Sequence, residues 1–182
     1  IPMLDNLKHY NVILGSGSPR RKELLAGLGI DFRVEVMKGI EETYPADLAV
    51  EEIPLYLSQL KAHAYQPQPG DMIITADTVV ILHGKVIGKP KDEADAKHML
   101  AQLSGNVHTV VTGVTVSTHD RVESFSCHSK VEFAPLTAEE IDYYVKKYRP
   151  FDKAGSYGIQ EWIGHMGIKG ISGSFYNVMG LP

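Results

Sequence analysis

The chain has 182 residues, 43% of them hydrophobic, and a formal net charge of −4, so it can form a core without covalent cross-links. Its single cysteine, Cys127, excludes an internal disulfide and a cysteine-rich zinc site. Negative charge without a basic stripe argues against a nucleic-acid polymer as partner. The sequence shows neither an export signal nor a membrane-spanning stretch, so we expect a cytoplasmic protein with no membrane association.

The first predicted elements are a strand and a helix joined by a short loop. The apolar run from Asn11 to Leu14 predicts a buried strand, and Pro19 opens a helix. The apolar side of that helix is predicted to carry Leu24, Leu25 and Leu28.

The loop that precedes this helix has the composition of an anion site. Gly15 and Gly17 let backbone N–H groups approach a ligand, and Ser16 and Ser18 add hydroxyl donors. The helix N-terminus carries partial positive charge, and two arginines follow it, Arg20 and Arg21. A Rossmann dinucleotide loop is disfavoured because position 20 is not glycine, and the chain has no Gly-Lys-Ser/Thr phosphate loop.

The middle of the chain alternates between strands and helices. We predict a half-exposed strand over Phe32–Val36, a helix from Ala49 with Lys61 near its end, and a strand from Met72 that ends at Asp77. A hairpin turn at His83-Gly84 and a helix over Glu93–Gln102 follow. The inward side chains of that helix are predicted to be Ala94, Met99, Leu100 and Leu103.

The last third of the chain is predicted to be richer in β-structure. The runs Val107–Ser117 and Val122–Phe133 predict an antiparallel pair. A capping box of Thr137 and Glu140 begins a helix, and the glycine-rich residues 150–182 predict turns and short strands.

Several charged residues together indicate metal-assisted phosphate chemistry. Asp77, which alone would be read as a turn cap, is accompanied by two further carboxylates, Glu41 and Glu42. Point charges for phosphate are offered by Lys61, Lys89 and Lys91, each of which alone would be a solvated surface lysine.

The segment Asp152–Gln160 places polar groups among glycines, which is typical of a loop against a ligand. The Gln160 carboxamide offers a donor and an acceptor that match the edge of uracil or thymine. A solvated glutamine in a glycine-rich turn is the alternative interpretation.

The sequence resembles the Maf family of nucleoside triphosphate pyrophosphatases, also described as septum-formation inhibitor proteins. The matching segments are GSGSPRRKELL from Gly15, GIEE from Gly39, LKA from Leu60, ADTV from Ala76, GKP from Gly88, MLAQLSG from Met99, DKAGSYGIQ from Asp152 and NVMGLP from Asn177. The chain departs from the family's usual residues at Gly15, Arg149 and Glu161, which stand where alanine, glutamate and glycine are common.

The resemblance implies hydrolysis between the α and β phosphates of dTTP or UTP, with CTP or modified pyrimidine nucleotides as further substrates, and with Mg²⁺ or Mn²⁺. It implies Asp77 as catalytic residue, with Glu42, Lys61 and Lys89 as further catalytic residues of the active site. We expect the metal ligands to be Asp77 and Glu42. The substrate-binding residues that it implies are Ser16, Ser18, Arg20, Arg21, Thr78 and Gln160.

The resemblance also implies the architecture: one α/β domain over residues 1–182, elongated and two-lobed, with a central mixed twisted sheet flanked by helices, as in Maf and ITPase-like folds. The site would lie in a cleft between the lobes, and the protein would be a homodimer. A nucleotide-sensing regulatory module that acts on cell division is the alternative function.

Overall fold

Seven strands form one mixed sheet in this computed structural model, which describes residues 2–182. They are β1 (Asn11–Leu14), β2 (Arg33–Val34), β3 (Asp71–Leu82), β4 (Lys85–Ile87), β5 (Val107–Thr118), β6 (Val122–Phe133) and β7 (Ile168–Ser172). The strand order is β2-β1-β3-β5-β6-β7, with β4 paired to β3. Strand β1 runs parallel to β2 and β3, whereas β4 and β7 pair antiparallel to their neighbours. The mixed sheet predicted from the sequence is confirmed.

Six α-helices accompany the sheet within residues 2–182. They are α1 (Pro19–Ala26), α2 (Ile53–His63), α3 (Glu93–Leu103), α4 (Ala138–Tyr148), α5 (Trp162–Gly167) and α6 (Phe175–Met179). Short 3₁₀ turns occupy Pro2–His9, Val50–Glu52 and Ala154–Ser156. Helix α4 begins at the predicted capping box, in which the side chains of Thr137 and Glu140 each accept the other residue's backbone N–H. No helix in the described part of the chain has the length and apolar character needed to cross a membrane.

Contacts divide the chain into two compact units. The first unit comprises Ile1–Asp77, Thr112–Ser126 and Leu181, and the second comprises Thr78–Val111, Cys127–Gly180 and Pro182. The long strand β3 belongs to both units, because the boundary falls between Asp77 and Thr78.

In the first unit, helix α2 packs directly on the backbone of β5. A Cβ atom at Gly113 would lie 2.4 Å from backbone atoms of Pro54 and Leu55, so only glycine permits this approach. The buried hydroxyls of Ser58 on α2 and Thr115 on β5 lie 2.7 Å apart, which adds a hydrogen bond to this contact. The position of α2 against the sheet therefore fixes where the side chains of its last turn can reach.

In the second unit, helices α3 and α4 pack over one large apolar core. Leu100 and Leu103 of α3 and Tyr144 and Val145 of α4 are fully buried there, together with Phe133 of β6. Removal of these apolar side chains from water stabilises the unit, with a free energy of roughly 25 cal/mol for each Å² of apolar surface that is buried.

The prediction that a strand ends at Asp77 is wrong, because β3 continues through it to Leu82. The pairing of β3 with β1 reaches Ile74, and its pairing with β4 begins at Val80. Asp77 therefore lies between the part of β3 that pairs with β1 and the part that pairs with β4. The buried residues 79–82 that follow it continue the strand.

Smaller differences also follow from tertiary packing. Helix α1 ends before Leu28, which is 56% exposed, and α3 buries Ala96 in place of Ala94. Strand β2 is shorter than predicted, and the tail contains helices α5 and α6 in addition to a strand. The predicted hairpin at His83-Gly84 is confirmed, with both residues at positive φ, as a tight two-residue turn requires.

Candidate functional site

Lys61 joins two carboxylates in the first unit. Its ammonium group lies 3.0 Å from Asp77 Oδ1 and 3.2 Å from Glu42 Oε1, and it also donates to the backbone oxygen of Ala76 at 3.1 Å. The side chains of Lys61 and Asp77 are only 15% and 14% exposed, whereas Glu42 lies in a loop and is 52% exposed. Three of the predicted site residues are therefore brought together by α2, β3 and the loop after β2.

The environment of Asp77 favours its neutral form more than water does. Burial raises the pKa of Asp77, the positive charges of Lys61 and Arg21 oppose that rise, and the negative charge of Glu42 adds to it. A carboxylate whose pKa is raised is a better proton acceptor than an ordinary aspartate.

The loop between β1 and α1 orders the side chain of Arg21. Ser18 caps α1 by accepting the backbone N–H of Arg21 at 3.3 Å, as its type predicts. The Ser16 hydroxyl accepts from Arg21 Nη1 and from the backbone N–H of Ser18, both at 3.3 Å. Burial lowers the pKa of Arg21, Arg20 lowers it further, and the negative charges of Asp77 and Glu42 raise it. The guanidinium is thus held partly desolvated within the field of both carboxylates, where an anion would stabilise it.

A tyrosine side chain fixes the first residue of the loop. The hydroxyl of Tyr65 donates to the Glu35 backbone oxygen at 2.5 Å and accepts from the Met37 N–H at 3.3 Å. A Cβ atom at Gly15 would lie 2.7 Å from this hydroxyl. Gly15 is therefore required by Tyr65, which links the end of β1 to the segment that follows β2.

The residues of this cluster fit a divalent metal in their chemistry. Carboxylate oxygens are the ligands that Mg²⁺ and Mn²⁺ prefer, and Mg²⁺ in nucleotide enzymes is commonly held by one or two carboxylates together with substrate phosphates and water. Asp77 and Glu42 supply such a pair, joined through Lys61. Over residues 2–182, no group of three or more histidine, cysteine, aspartate or glutamate side chains is gathered to hold an ion alone. The donor set therefore suits an ion that arrives with a phosphate ligand.

The second unit contains the remaining predicted site residues, Thr78, Lys89 and Gln160. Lys89 is exposed in the turn after β4, and the neighbouring Gly88 oxygen accepts the N–H of Gly155 at 3.1 Å. This hydrogen bond joins the lysine turn to the Asp152–Gln160 segment.

The glycine-rich segment is itself well anchored. Gly155 has φ +73°, a backbone conformation that favours glycine, and a Cβ atom there would lie 3.0 Å from Val80 Cγ2. Glycine therefore permits both this conformation and the close contact with Val80. Residues 155–159 are buried and Gln160 is exposed at their end, which places its carboxamide where a ligand can reach it.

A hydrogen-bonded group beside Gln160 could not be predicted from the sequence. The backbone N–H of Gly158 donates to the Tyr144 hydroxyl at 3.0 Å, and that hydroxyl donates to Glu161 Oε1 at 2.6 Å. The Lys153 ammonium lies 3.8 Å from the same carboxylate oxygen. In the sequence, Glu161 stands out only as a departure from the family pattern, and Tyr144 has the spacing of a core residue on α4.

Comparison with known proteins gives consistent matches. Residues 11–182 match a family described as Maf-like protein. A protein of Phocaeicola vulgatus named dTTP/UTP pyrophosphatase is 59% identical over 182 residues, which cover 99% of this chain and 94% of that protein. A Porphyromonas gingivalis protein of the same name is 58% identical over 184 residues, which cover 99% of this chain and 92% of that protein. The solved structure of the Staphylococcus aureus Ham1 protein aligns with a TM-score of 0.48 at 17% identity, over 68% of this chain and 72% of that one.

Proposed function

The chain belongs to the Maf-like protein family, and from this premise we propose that it hydrolyses dTTP and UTP to the nucleoside monophosphate and pyrophosphate. The observation that carries the proposal is the pair of carboxylates, Asp77 and Glu42, held by Lys61 in the unit that also contains the serine- and arginine-rich loop. The names of the relatives at 59% and 58% identity support the choice of substrate.

The triphosphate would be bound by the loop after β1. Ser16 and Ser18 offer hydroxyls and the N-terminus of α1 offers partial positive charge, while Arg20 and Arg21 supply full charges. Two arginines at a helix N-terminus are unfavourable without an anion, and a bound phosphate group removes that cost.

Asp77 would take the proton of the water that attacks the α phosphorus. Its raised pKa suits this role, and Lys61 keeps the carboxylate ionised and fixed in direction. Asp77 and Glu42 are also the residues that would hold Mg²⁺ or Mn²⁺. When bound, such an ion neutralises phosphate charge and favours ionisation of a coordinated water.

Charge that develops on the departing pyrophosphate would be stabilised by preorganised cations. Arg21 is already held by Ser16, so it need not reorganise when the charge appears. We assign Lys61 and Lys89 to the same electrostatic role. In the second unit, Thr78 and Gln160 would select the base, because a carboxamide can pair with the N3–H and the O4 of uracil or thymine.

We further propose that the protein is a cytoplasmic homodimer. A lone cysteine fits a reducing compartment, where nucleoside triphosphates are also abundant. Light scattering on a size-exclusion column tests the dimer, and a monomer mass across micromolar concentrations would contradict it.

Pyrophosphate release with Mg²⁺ from dTTP, UTP, CTP, GTP and ITP tests the function. We expect turnover of dTTP and UTP far in excess of enzyme, with monophosphate as the nucleoside product. Asp77→Asn should remove turnover and retain the fold and nucleotide binding. Intact nucleotide recovered from a tightly binding protein would instead support the regulatory module.

A further inference from the structure

We propose that Glu161, held by Tyr144 and Lys153, is a positioning residue that fixes the Gln160 carboxamide and so sets the preference for uracil and thymine over cytosine. The inference rests on the proposed function, because it concerns how the same enzyme distinguishes pyrimidines. It adds three residues to those assigned above, all within the second unit.

The Glu161 carboxylate is held in place from two sides. Its Oε1 accepts from the Tyr144 hydroxyl at 2.6 Å and lies 3.8 Å from the Lys153 ammonium. The Tyr144 side chain is fully buried, and the side chains of Lys153 and Glu161 are only 12% and 19% exposed. A carboxylate held this way keeps one position, and its charge is weakly screened by solvent.

The Glu161 carboxylate borders the Gln160 carboxamide. A Cβ atom placed on Gly158 would lie 2.5 Å from Glu161 Oε1 and 3.2 Å from Gln160 Nε2, so both groups lie on the same side of Gly158. The turn between them is closed by the Glu161 N–H, which donates to the Gly158 oxygen at 3.0 Å. Gly158 is in turn tied to Tyr144, so one network fixes the whole turn.

The orientation of the Gln160 amide decides which base it complements. A free glutamine can rotate its carboxamide by half a turn and so exchange its donor and its acceptor. One orientation complements the O4 and N3–H of uracil, and the other complements the N4 amine and N3 of cytosine. A negative carboxylate beside Gln160 attracts the NH₂ group and repels the carbonyl oxygen, so it favours one of the two orientations, and we assign that orientation to uracil and thymine. Specificity then depends on a group that never contacts the base.

The test compares UTP with CTP in Glu161→Gln and Tyr144→Phe. Glu161→Gln preserves size and one acceptor oxygen but removes the charge, and Tyr144→Phe removes only the hydroxyl that holds Glu161. We expect the ratio of kcat/KM for UTP to that for CTP to fall about tenfold in Glu161→Gln, and to fall also in Tyr144→Phe. Matched controls are Glu132→Gln, on an exposed position of β6, and Tyr143→Phe, on the exposed side of α4, which should both retain the wild-type ratio.

The ratio of kcat/KM for UTP to that for CTP distinguishes a positioning role of Glu161 from a merely structural one. Both substrates are measured on one sample, so partial unfolding lowers both kcat/KM values equally and leaves their ratio unchanged. An unchanged ratio in both variants, or a wild-type ratio near one, overturns the inference alone. A wild-type protein that releases pyrophosphate from no triphosphate overturns the proposed function and this inference with it.

Discussion

The ammonium group of Lys61 lies 3.0 Å from Asp77 Oδ1 and 3.2 Å from Glu42 Oε1, so a single cation pairs with both carboxylates of the cluster. Helix α2 carries this lysine and is fixed on β5 at Gly113. Removal of the lysine would leave two negative side chains near each other, one of them buried.

The first prediction concerns the pH dependence of hydrolysis. Asp77 must be ionised to accept a proton, and its pKa is raised by burial and lowered by Lys61. The acid limb of kcat/KM should therefore lie above the usual range of aspartate, and Lys61→Met should move it to higher pH as well as lower the plateau. The profile of Lys130→Met, which changes an exposed lysine of β6, should match the wild type. An acid limb that does not move in Lys61→Met would show that Lys61 does not influence the ionisation of Asp77.

The second prediction concerns Gly15 and Tyr65. A Cβ atom at Gly15 would meet the Tyr65 hydroxyl at 2.7 Å and Thr75 Cγ2 at 3.0 Å, so Gly15→Ala should lower the free energy of unfolding by about 1–3 kcal/mol. Because the closest clash is with the hydroxyl, the same change should cost less in a Tyr65→Phe background. Urea unfolding of the two single variants and the double variant measures this coupling. Strictly additive costs would show that the hydroxyl does not limit the size of residue 15.

The third prediction concerns the contact of α2 with β5. Gly113→Ala places a Cβ atom 2.4 Å from backbone atoms of Pro54 and Leu55, which cannot rotate away as a side chain can. We expect a loss of stability of about 3 kcal/mol, with a fall in hydrolysis because α2 carries Lys61. Gly170→Ala is the control, since a Cβ atom there meets nothing within 4 Å. Wild-type stability and activity in Gly113→Ala would contradict the packing described.

The fourth prediction concerns a buried histidine in the second unit. His108 is 1% exposed, its Nε2 lies 2.5 Å from the Tyr157 hydroxyl, and burial lowers its pKa to about 4. The unfolded chain keeps the ordinary value near 6.5 and so binds the proton first as pH falls. The contribution of neutral His108 is therefore complete above pH ~6.5 and is lost progressively toward pH ~4, with a slope that approaches about 1.4 kcal/mol per pH unit.

Urea unfolding of wild type and His108→Asn between pH 7.5 and 5 measures that slope. The other histidines and carboxylates titrate in both proteins, so the difference between the two curves isolates His108. The wild type should lose more stability than the variant as pH falls. Parallel curves would indicate that His108 is protonated as readily in the folded protein as in the unfolded chain.

Local signals in the sequence predicted the elements that depend on neighbouring residues. Helix α1 begins at Pro19, whose fixed φ suits the first turn, and Thr137 caps α4 because a hydroxyl at the N-cap satisfies a helix N–H wherever the helix lies. The hairpin at His83-Gly84 follows in the same way from its two turn residues. Residue type and the resemblance both placed Lys61 with Asp77 in one site, but their direct contact could not be predicted, since no spacing in the sequence relates α2 to β3.

Features that depend on distant contacts could not be predicted. Asp77 looked like the end of a strand, but the buried residues after it pair with β4 and keep the strand intact. Tyr144 reaches Glu161 across 17 positions of sequence. Helices α5 and α6 in the tail have only 6 and 5 residues, too few for helical periodicity to reveal them.

Hydrolysis of dTTP in ¹⁸O-labelled water tests the central claim most directly, because the label marks the phosphorus atom that is attacked. Attack at the α phosphorus, as proposed for the water activated by Asp77, predicts one ¹⁸O atom in dTMP and none in pyrophosphate at first turnover. Mass spectrometry of both products reads this result. Label in pyrophosphate with unlabelled dTMP, or dTDP and labelled phosphate as the products, would contradict the account.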